Sequence, residues 1–386
     1  MSKEFTEPQK HHFNVGHTAT GKTPEVKPQD VLCIRCPLEA PQPLTAFRRR
    51  AMRRAKHRCD GRENGRWQAA TAAGAALVIL LLGAAAMSAA QDRRPNVLTT
   101  VAPLTNLVKN VGGPFIELHG LIPGGTDSHT FEPTPSDVKY VAAADLIVLN
   151  GLDLETPTEK LALANKQPTA RIVKLGDSTI TPRDYVFDRS FPKSGGHPNP
   201  HLWMNPIYAS RYAELVRDAL IELDPAHTAQ YRERTQQYTT RLSALDRAIA
   251  AAVATIPPQN RRLLTYHDSF AYFAPRYGMT VIGAIEPASF SEPSPQEMTR
   301  VIRQLKREKV PAIFGSEVFP SKVLDQIGRE AGVRFVDTLR DDDLPGTPGS
   351  PEHSYIGMML EDVRTMVTAL GGSLDALRGI DPADIP

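Results

Sequence analysis

PAHTAQYRERTQQYTTRLSALDRAIAAAVATI, residues 225–256, reads as one uninterrupted helix. Tyr231, Tyr238, Leu242, Leu245, Ile249, Val253 and Ile256 are spaced 7, 4, 3, 4, 4 and 3, which keeps them on a single apolar stripe. At about 1.5 Å per residue the segment spans on the order of 45 Å. Short apolar runs alternate with helix-period stretches on either side of it. NVLTTVAP and DLIVLNG come before; RRLLTYHDS, MTVIGAI and PAIFGSEVF come after. Strands alternating with helices imply parallel sheets, so the expected fold class is α/β. Two similar lobes, 96–224 and 257–386, would each carry a central parallel sheet flanked by helices. One long rigid helix at 225–256 would join them, allow little opening and closing, and leave a ligand site in the cleft between lobes.

An internal repeat supports the duplication. VLTTVAPLTNLVKNVGG (97–113) and RLLTYHDSFAYFAPRYG (262–278) share the order strand, short polar loop, amphipathic helix, glycine stop. EPTPSD (132–137) and EPSPQE (292–297) echo each other too. In each, Thr134 or Ser294 caps a helix, Pro135 or Pro295 takes its first position, and Asp137 or Glu297 completes a capping box.

The 386 residues are 41% hydrophobic and 23% charged with a net charge of +2, ordinary for a globular protein and no pointer to nucleic acid. The only long apolar run, WQAATAAGAALVILLLGAAAMSAA (67–90), follows the basic stretch RRRAMRRAKHR (48–58). A basic flank, an apolar centre and Ser88 and Ala90 before Gln91 match a secretory signal with a small-x-small cleavage site, or failing cleavage a membrane anchor. Either way the part after Gln91 is expected outside the cytoplasm, in the periplasm. All three cysteines (Cys33, Cys36, Cys59) precede the run, so the exported part needs no disulfide framework. Residues 1–66 are polar and aperiodic, a disordered or mis-assigned extension; translation starting at Met52 would give a signal of normal length. Within them Gly16-His17-Thr18-Ala19-Thr20-Gly21-Lys22-Thr23 fits a phosphate-loop pattern but has neither strand before it nor helix after it. Cys33, Cys36, His57 and Cys59 are too irregularly spaced for a zinc knuckle.

Four loops combine metal-type ligands with small or turn-forming neighbours: GGTDSH (124–129), NPHLWMNP (199–206), YHD (266–268) and LRDDDL (339–344). In two-lobed α/β proteins ligands bind beyond the carboxyl ends of the strands, where all four loops are expected to converge. Three imidazoles and a carboxylate satisfy a divalent ion of borderline softness without any thiol.

The sequence resembles the zinc- and manganese-binding receptors of bacterial ABC importers, the group whose lobes are joined by one long helix. The resemblance runs from Asn96 to about Gly372 and is carried by GTDSHTFEPTPSD, NPHLWMNP, HDSFAYFAPRYG, EPSPQEMTRVIRQLKREKVPAIFGSEVF and LRDDDLPG followed by SYIGMML. It implies that the ligands are His129, His201, His267 and an aspartate aligned with Asp342. It also implies a monomeric periplasmic receptor, no enzyme, that carries Zn2+ or Mn2+ as bound substrate to an ABC permease of the inner membrane. Relatives end on a Leu-aromatic-x-Asp-x-Leu pattern, whereas Arg340 stands for the aromatic here and three aspartates run together, so Asp341 and Asp343 stay open beside Asp342. Manganese-selective relatives tend to carry glutamate where this chain has His267, which favours zinc over manganese or iron. The long histidine-rich loop of many zinc receptors is reduced here to His197 alone. His119, His227 and His353 read as surface or structural residues. Because ligands must be deprotonated, affinity is expected to fall below about pH 6 as histidines protonate. A zinc hydrolase is the main rival, but neither HExxH nor GxSxG occurs; Asp268 beside His267 would be its only evident base. A surface adhesin is compatible with the same fold.

Overall fold

The computed structural model describes residues 93–285, 293–316, 318 and 322–386. The extension at 1–66, the apolar segment at 67–90, the phosphate-loop pattern and the cysteines lie outside the described residues. Among the described residues no helix is long and apolar enough to cross a membrane.

Four strands form one parallel sheet: Asn96–Thr99 (β1), Glu117–Gly120 (β2), Leu146–Leu149 (β3) and Arg171–Lys174 (β4), in the order β2-β1-β3-β4. The second half holds two parallel pairs, Arg262–Thr265 (β5) with Thr280–Ala284 (β6), and Ala312–Ser316 (β7) with Arg334–Leu339 (β8). β5 runs beside β7. The α/β class is thus as the alternating pattern implies, and all five apolar runs read as strands are strands. β2, β4 and β8 are additions.

Helices cover the sheets: Ala102–Gly112 (α1), Val138–Ala143 (α2), Thr156–Asn165 (α3), Pro206–Leu223 (α4), Thr228–Ala254 (α5), Pro295–Glu308 (α6), Lys322–Ala331 (α7) and Tyr355–Leu370 (α8). The long connector is α5, 27 residues, entered through a 3-10 turn at Pro225–His227. Every residue of its expected stripe is buried to 1% exposure or less, from Tyr231 to Ile256. Burying side chains of this size contributes about 1.5–3 kcal/mol each. They join residues of α1, α4 and α8, such as Leu107, Tyr212 and Met359, in one core. A smaller core with Leu264, Val301, Leu305, Ile313 and Leu324 seats α6 and α7 on the later strands.

Both capping boxes form. Ser294 and Glu297 start α6 directly, while Thr134 and Asp137 start a 3-10 turn, Pro135–Asp137, that runs into α2. The second helix of the repeat does not form: residues 269–274 make turns and Pro275–Tyr277 a 3-10 turn. Pro275 has no N–H to continue an α-helical ladder.

Residues 381–386 lie along α1 and α5. Asn106 and Asn110 each donate to Asp384 Oδ1 at 2.9 Å, and Ile385 N donates to Asn110 Oδ1 at 2.8 Å. Arg234 on α5 donates to the carbonyls of Asn110, Ile385 and Pro386. Gly113, at φ 53, leaves room for that guanidinium; a Cβ there would stand 2.4 Å from it.

Candidate metal centre

Each candidate side chain is delivered by a local turn. Asp127 accepts from His129 N at 2.9 Å and Thr130 Oγ1 at 2.6 Å, tightening the loop after β2. His201 opens a 3-10 turn, Leu202–Met204, that leads into α4, where Asn205 caps the first turn by accepting from Ile207 N at 3.0 Å. His267 stands just beyond β5, its carbonyl accepting from Thr265 Oγ1 at 2.7 Å. Asp341 and Asp342 follow β8, held by Trp203 Nε1 donating to Asp341 O at 2.9 Å.

The three imidazoles meet. His201 Nε2 lies 3.1 Å from His129 Nε2 and 3.1 Å from His267 Nε2, and one ligand atom from each ring lies within 4.8 Å of the other two. Nitrogen lone pairs cannot approach this closely unless a proton or a cation sits between them. His201 and His267 are buried; His129 keeps part of its surface open. The aspartates split in role. Asp341 Oδ2 lies 2.9 Å from His267 Nε2. Asp342 Oδ2 accepts from Ser128 N at 2.9 Å, while its Oδ1 is buried without a hydrogen-bond partner. Neither carboxylate belongs to the tight triple of imidazoles.

Residues 97–369 match the profile of the family described as zinc-uptake complex component A, periplasmic. The chain belongs to that family. Its relatives include the iron-binding protein YfeA of Yersinia pestis, 31% identical over 71% of this chain and 86% of the relative. The zinc-binding protein TroA of Treponema pallidum is 31% identical over 73% of this chain and 91% of its own. The manganese ABC transporter substrate-binding lipoprotein PsaA of Streptococcus pneumoniae is 28% identical over 74% and 93%. The solved structure of TroA covers 72% of this chain and 99% of its own, at a TM-score of 0.66 and 29% identity.

In this member of the zinc-uptake component family, the sequence pattern concealed one residue of the centre. Asn199 is fully buried, and its backbone N donates to Val186 O at 2.8 Å. Its Oδ1 accepts from His201 N and faces His201 Nδ1, both at 3.0 Å; its Nδ2 donates to Asp188 Oδ2 at 2.7 Å and to Asp268 O, while Tyr272 Oη donates to its carbonyl at 3.0 Å. Because Nδ2 is committed to two acceptors, Oδ1 must face the imidazole. The proton therefore sits on His201 Nδ1, and Nε2 keeps its lone pair. The only sequence signal was Asn at the head of NPHLW.

Asp268 is neither a free base nor a ring partner of His267. Its Oδ2 accepts from Arg189 N at 3.1 Å and Ser190 N at 3.0 Å, and it shares a hydrogen bond with Asp188. Burial and the Asp268 charge push the Asp188 carboxyl up to about 7. Residues 188–191 thereby strap the two halves together, reinforced by Arg189 Nη2 on Glu297 Oε1 at 3.1 Å. The strap lays Phe191 against the imidazoles, 5.4 Å from His129 and 5.5 Å from His201 between centroids.

Electrostatics suit a cation. Burial, then the His267 charge, pulls His129 down to about 3 despite Asp341. Burial and the neighbouring imidazoles hold His201 well below its ordinary value. Burial, then the Asp341 charge, pushes Asp342 up to about 7. For Asp341 burial acts upward, but His267 and Ser269 outweigh it and hold the carboxyl below the usual range. The three histidines expected to be surface or structural have other occupations. His119 stacks on Tyr140 at 3.6 Å, His227 pairs with Asp224 at 2.6 Å, and His353 faces Pro345 O at 3.1 Å.

Proposed function

We propose that this protein is an extracytoplasmic receptor that captures a divalent transition-metal ion, Zn2+ foremost, and delivers it to an ABC permease. The convergence of three Nε2 atoms within 4.8 Å carries the reading. Three neutral imidazoles and a carboxylate are a zinc-type donor set, and the absence of thiols suits export. The lobes 96–224 and 257–386 would hold the ion between them, with His129 and His201 from the first and His267 and Asp342 from the second. Asp342 is supported as the fourth ligand by its buried, partnerless Oδ1 and by its anchor on Ser128 N. Asp341, already beside His267, would be the adjoining carboxylate.

That second carboxylate also supports a second reading, a manganese or iron receptor of the same family. Two hard oxygen donors suit those ions better than one, and the relatives are named for zinc, manganese and iron alike. The test is metal content and competition on protein purified free of metal, beside a His267→Ala variant. One equivalent of Zn2+ that outcompetes Mn2+ and is lost in the variant is the expected result. Preference for Mn2+ or Fe2+ selects the second reading, and no metal with any ion sinks both.

A further inference from the structure

A cavity of about 440 Å³ lies between residues 186–189 and the stretch 268–283. Its size falls within the roughly 300–1,000 Å³ of small-molecule sites. Val186, Ala271, Ala274, Met279 and Val281 give it an apolar wall, and Asp188, Arg189 and Asp268 a polar one. None of the three converging histidines, Asp341 or Asp342 lines it.

Two atoms of the polar wall lack partners among the described residues. Asp268 is 1% exposed; its Oδ2 takes the N–H groups of Arg189 and Ser190, while its Oδ1 is buried with no hydrogen-bond partner. Arg189 Nη2 is pinned on Glu297 Oε1 at 3.1 Å, while its Nε is buried and donates to nothing. Buried polar atoms of native proteins are nearly always paired, so each of these two asks for a partner group. A carboxylate oxygen with a second carboxyl, Asp188, beside it suits a cation, and a guanidinium N–H suits an anion. Arg189 N lies 3.1 Å from Asp268 Oδ2, so the two side chains set out from nearly the same point. An ammonium and a carboxylate borne on one carbon match that pairing. Water satisfies either atom but gains nothing from the apolar wall, whereas an apolar side chain on the same carbon takes that wall out of water.

We infer that this cavity is a second ligand site, one that takes a free apolar α-amino acid. The ammonium group donates to Asp268 Oδ1, the carboxylate accepts from Arg189 Nε, and the side chain lies on Ala271, Ala274, Met279 and Val281. A ligand with only one of the two charged groups leaves the other protein atom buried and unpaired. The site therefore selects zwitterions over plain amines and plain carboxylic acids. The inference goes beyond the receptor reading and does not depend on it. Because residues 186–189 come from the first half of the chain and the apolar wall mostly from the second, the bound amino acid ties the two together and raises the Tm.

Isothermal titration calorimetry of the metal-free full chain with L-leucine, L-valine, L-methionine and L-phenylalanine tests this. Isoamylamine and isocaproate, which are leucine without its carboxylate and without its ammonium group, serve as half-ligands. The variants are Asp268→Asn, which keeps the shape, and Arg189→Met, with thermal unfolding as the check on folding. The expected result is one equivalent of amino acid bound, and an affinity at least about tenfold weaker for each half-ligand and in each variant, the loss of one charge-assisted hydrogen bond. A diazirine analogue of leucine, photolysed on the wild type, reads the site without any variant: the label should fall within residues 271–283 and be competed away by leucine. No heat from any of the four amino acids overturns the proposal. So does isoamylamine binding as tightly as leucine, leucine affinity unchanged in both variants, or a label outside the cavity. Zn2+ titrated separately into the same protein reads the receptor function, so loss of metal binding with leucine binding intact sinks the receptor reading alone.

Discussion

Asn199 Oδ1 and His201 Nδ1 are 3.0 Å apart inside a fully buried network, and this contact leaves Nε2 as the nitrogen of His201 that faces the other two imidazoles. Asn199→Ala removes it and also frees Asp188 and the Asp268 carbonyl. Metal affinity should fall about 10- to 100-fold, the usual effect of losing an outer-shell partner. Chelator competition measures it; an unchanged dissociation constant would show that packing alone orients the ring.

The pH dependence should be set by Asp342 rather than by His129 or His201. His129, pulled down to about 3, is already neutral at pH 5. Asp342, pushed up to about 7, still holds its proton there. An ion that uses this carboxylate must expel the proton, so affinity should rise about tenfold per pH unit up to about pH 7 and level off above it. Equilibrium competition from pH 5 to 8 reads the slope. Asp342→Asn should bind weakly with a shallower profile, and an equally steep profile in that variant would move the effect to the imidazoles.

Trp203→Phe keeps the buried ring but leaves the Asp341 carbonyl without its donor. A buried polar group left unpaired costs about 1–3 kcal/mol, visible as a lower Tm. The same loop carries both candidate carboxylates, so the ion should also dissociate faster. An unaltered Tm would mean that water replaces the indole.

Phe191→Ala uncovers His129 and His201. The side chain is 8% exposed, and truncating a buried phenylalanine costs about 3 kcal/mol. Ion release should quicken more than capture slows, since the ring excludes water from the finished centre. Equal changes in both would place Phe191 on the path of the ion instead.

The parts of this fold legible in sequence are those with one-sided burial. The stripe from Tyr231 to Ile256 reads cleanly because every member is in the core. β1, β3, β5 and β7 read as apolar runs because they are flanked on both sides by strands or lie deep, and β6, although half-exposed, reads because TVIGA carries no charge. β2 and β4 are the two edges of the first sheet, and their ELHG and RIVK mix charge with apolar residues in half-exposed positions. RFVDTL of β8 is similar. Edge strands of this kind look like loops until the partner is known. The three converging histidines were legible as a set, whereas Asn199 was not, since an amide acquires its role only from what surrounds it. The run Asp341-Asp342-Asp343 could not be resolved by spacing. Its members differ only in which backbone or ring each meets: Ser128 N for Asp342, His267 for Asp341 and Leu344 N for Asp343.

The bonds of Asp384, Ile385 and Pro386 to α1 and α5 bear on how the molecule assembles. Ile385 and Asn110 are 275 positions apart, yet their bond is buried against α1. A ribosome that has made α1 and α5 has not made the segment that satisfies Asn106, Asn110 and Arg234. Contacts of such sequence separation form late and slowly. The nascent stretch from α1 to α5 thereby lacks partners for buried polar groups until residues 381–386 are added, which keeps it from settling early.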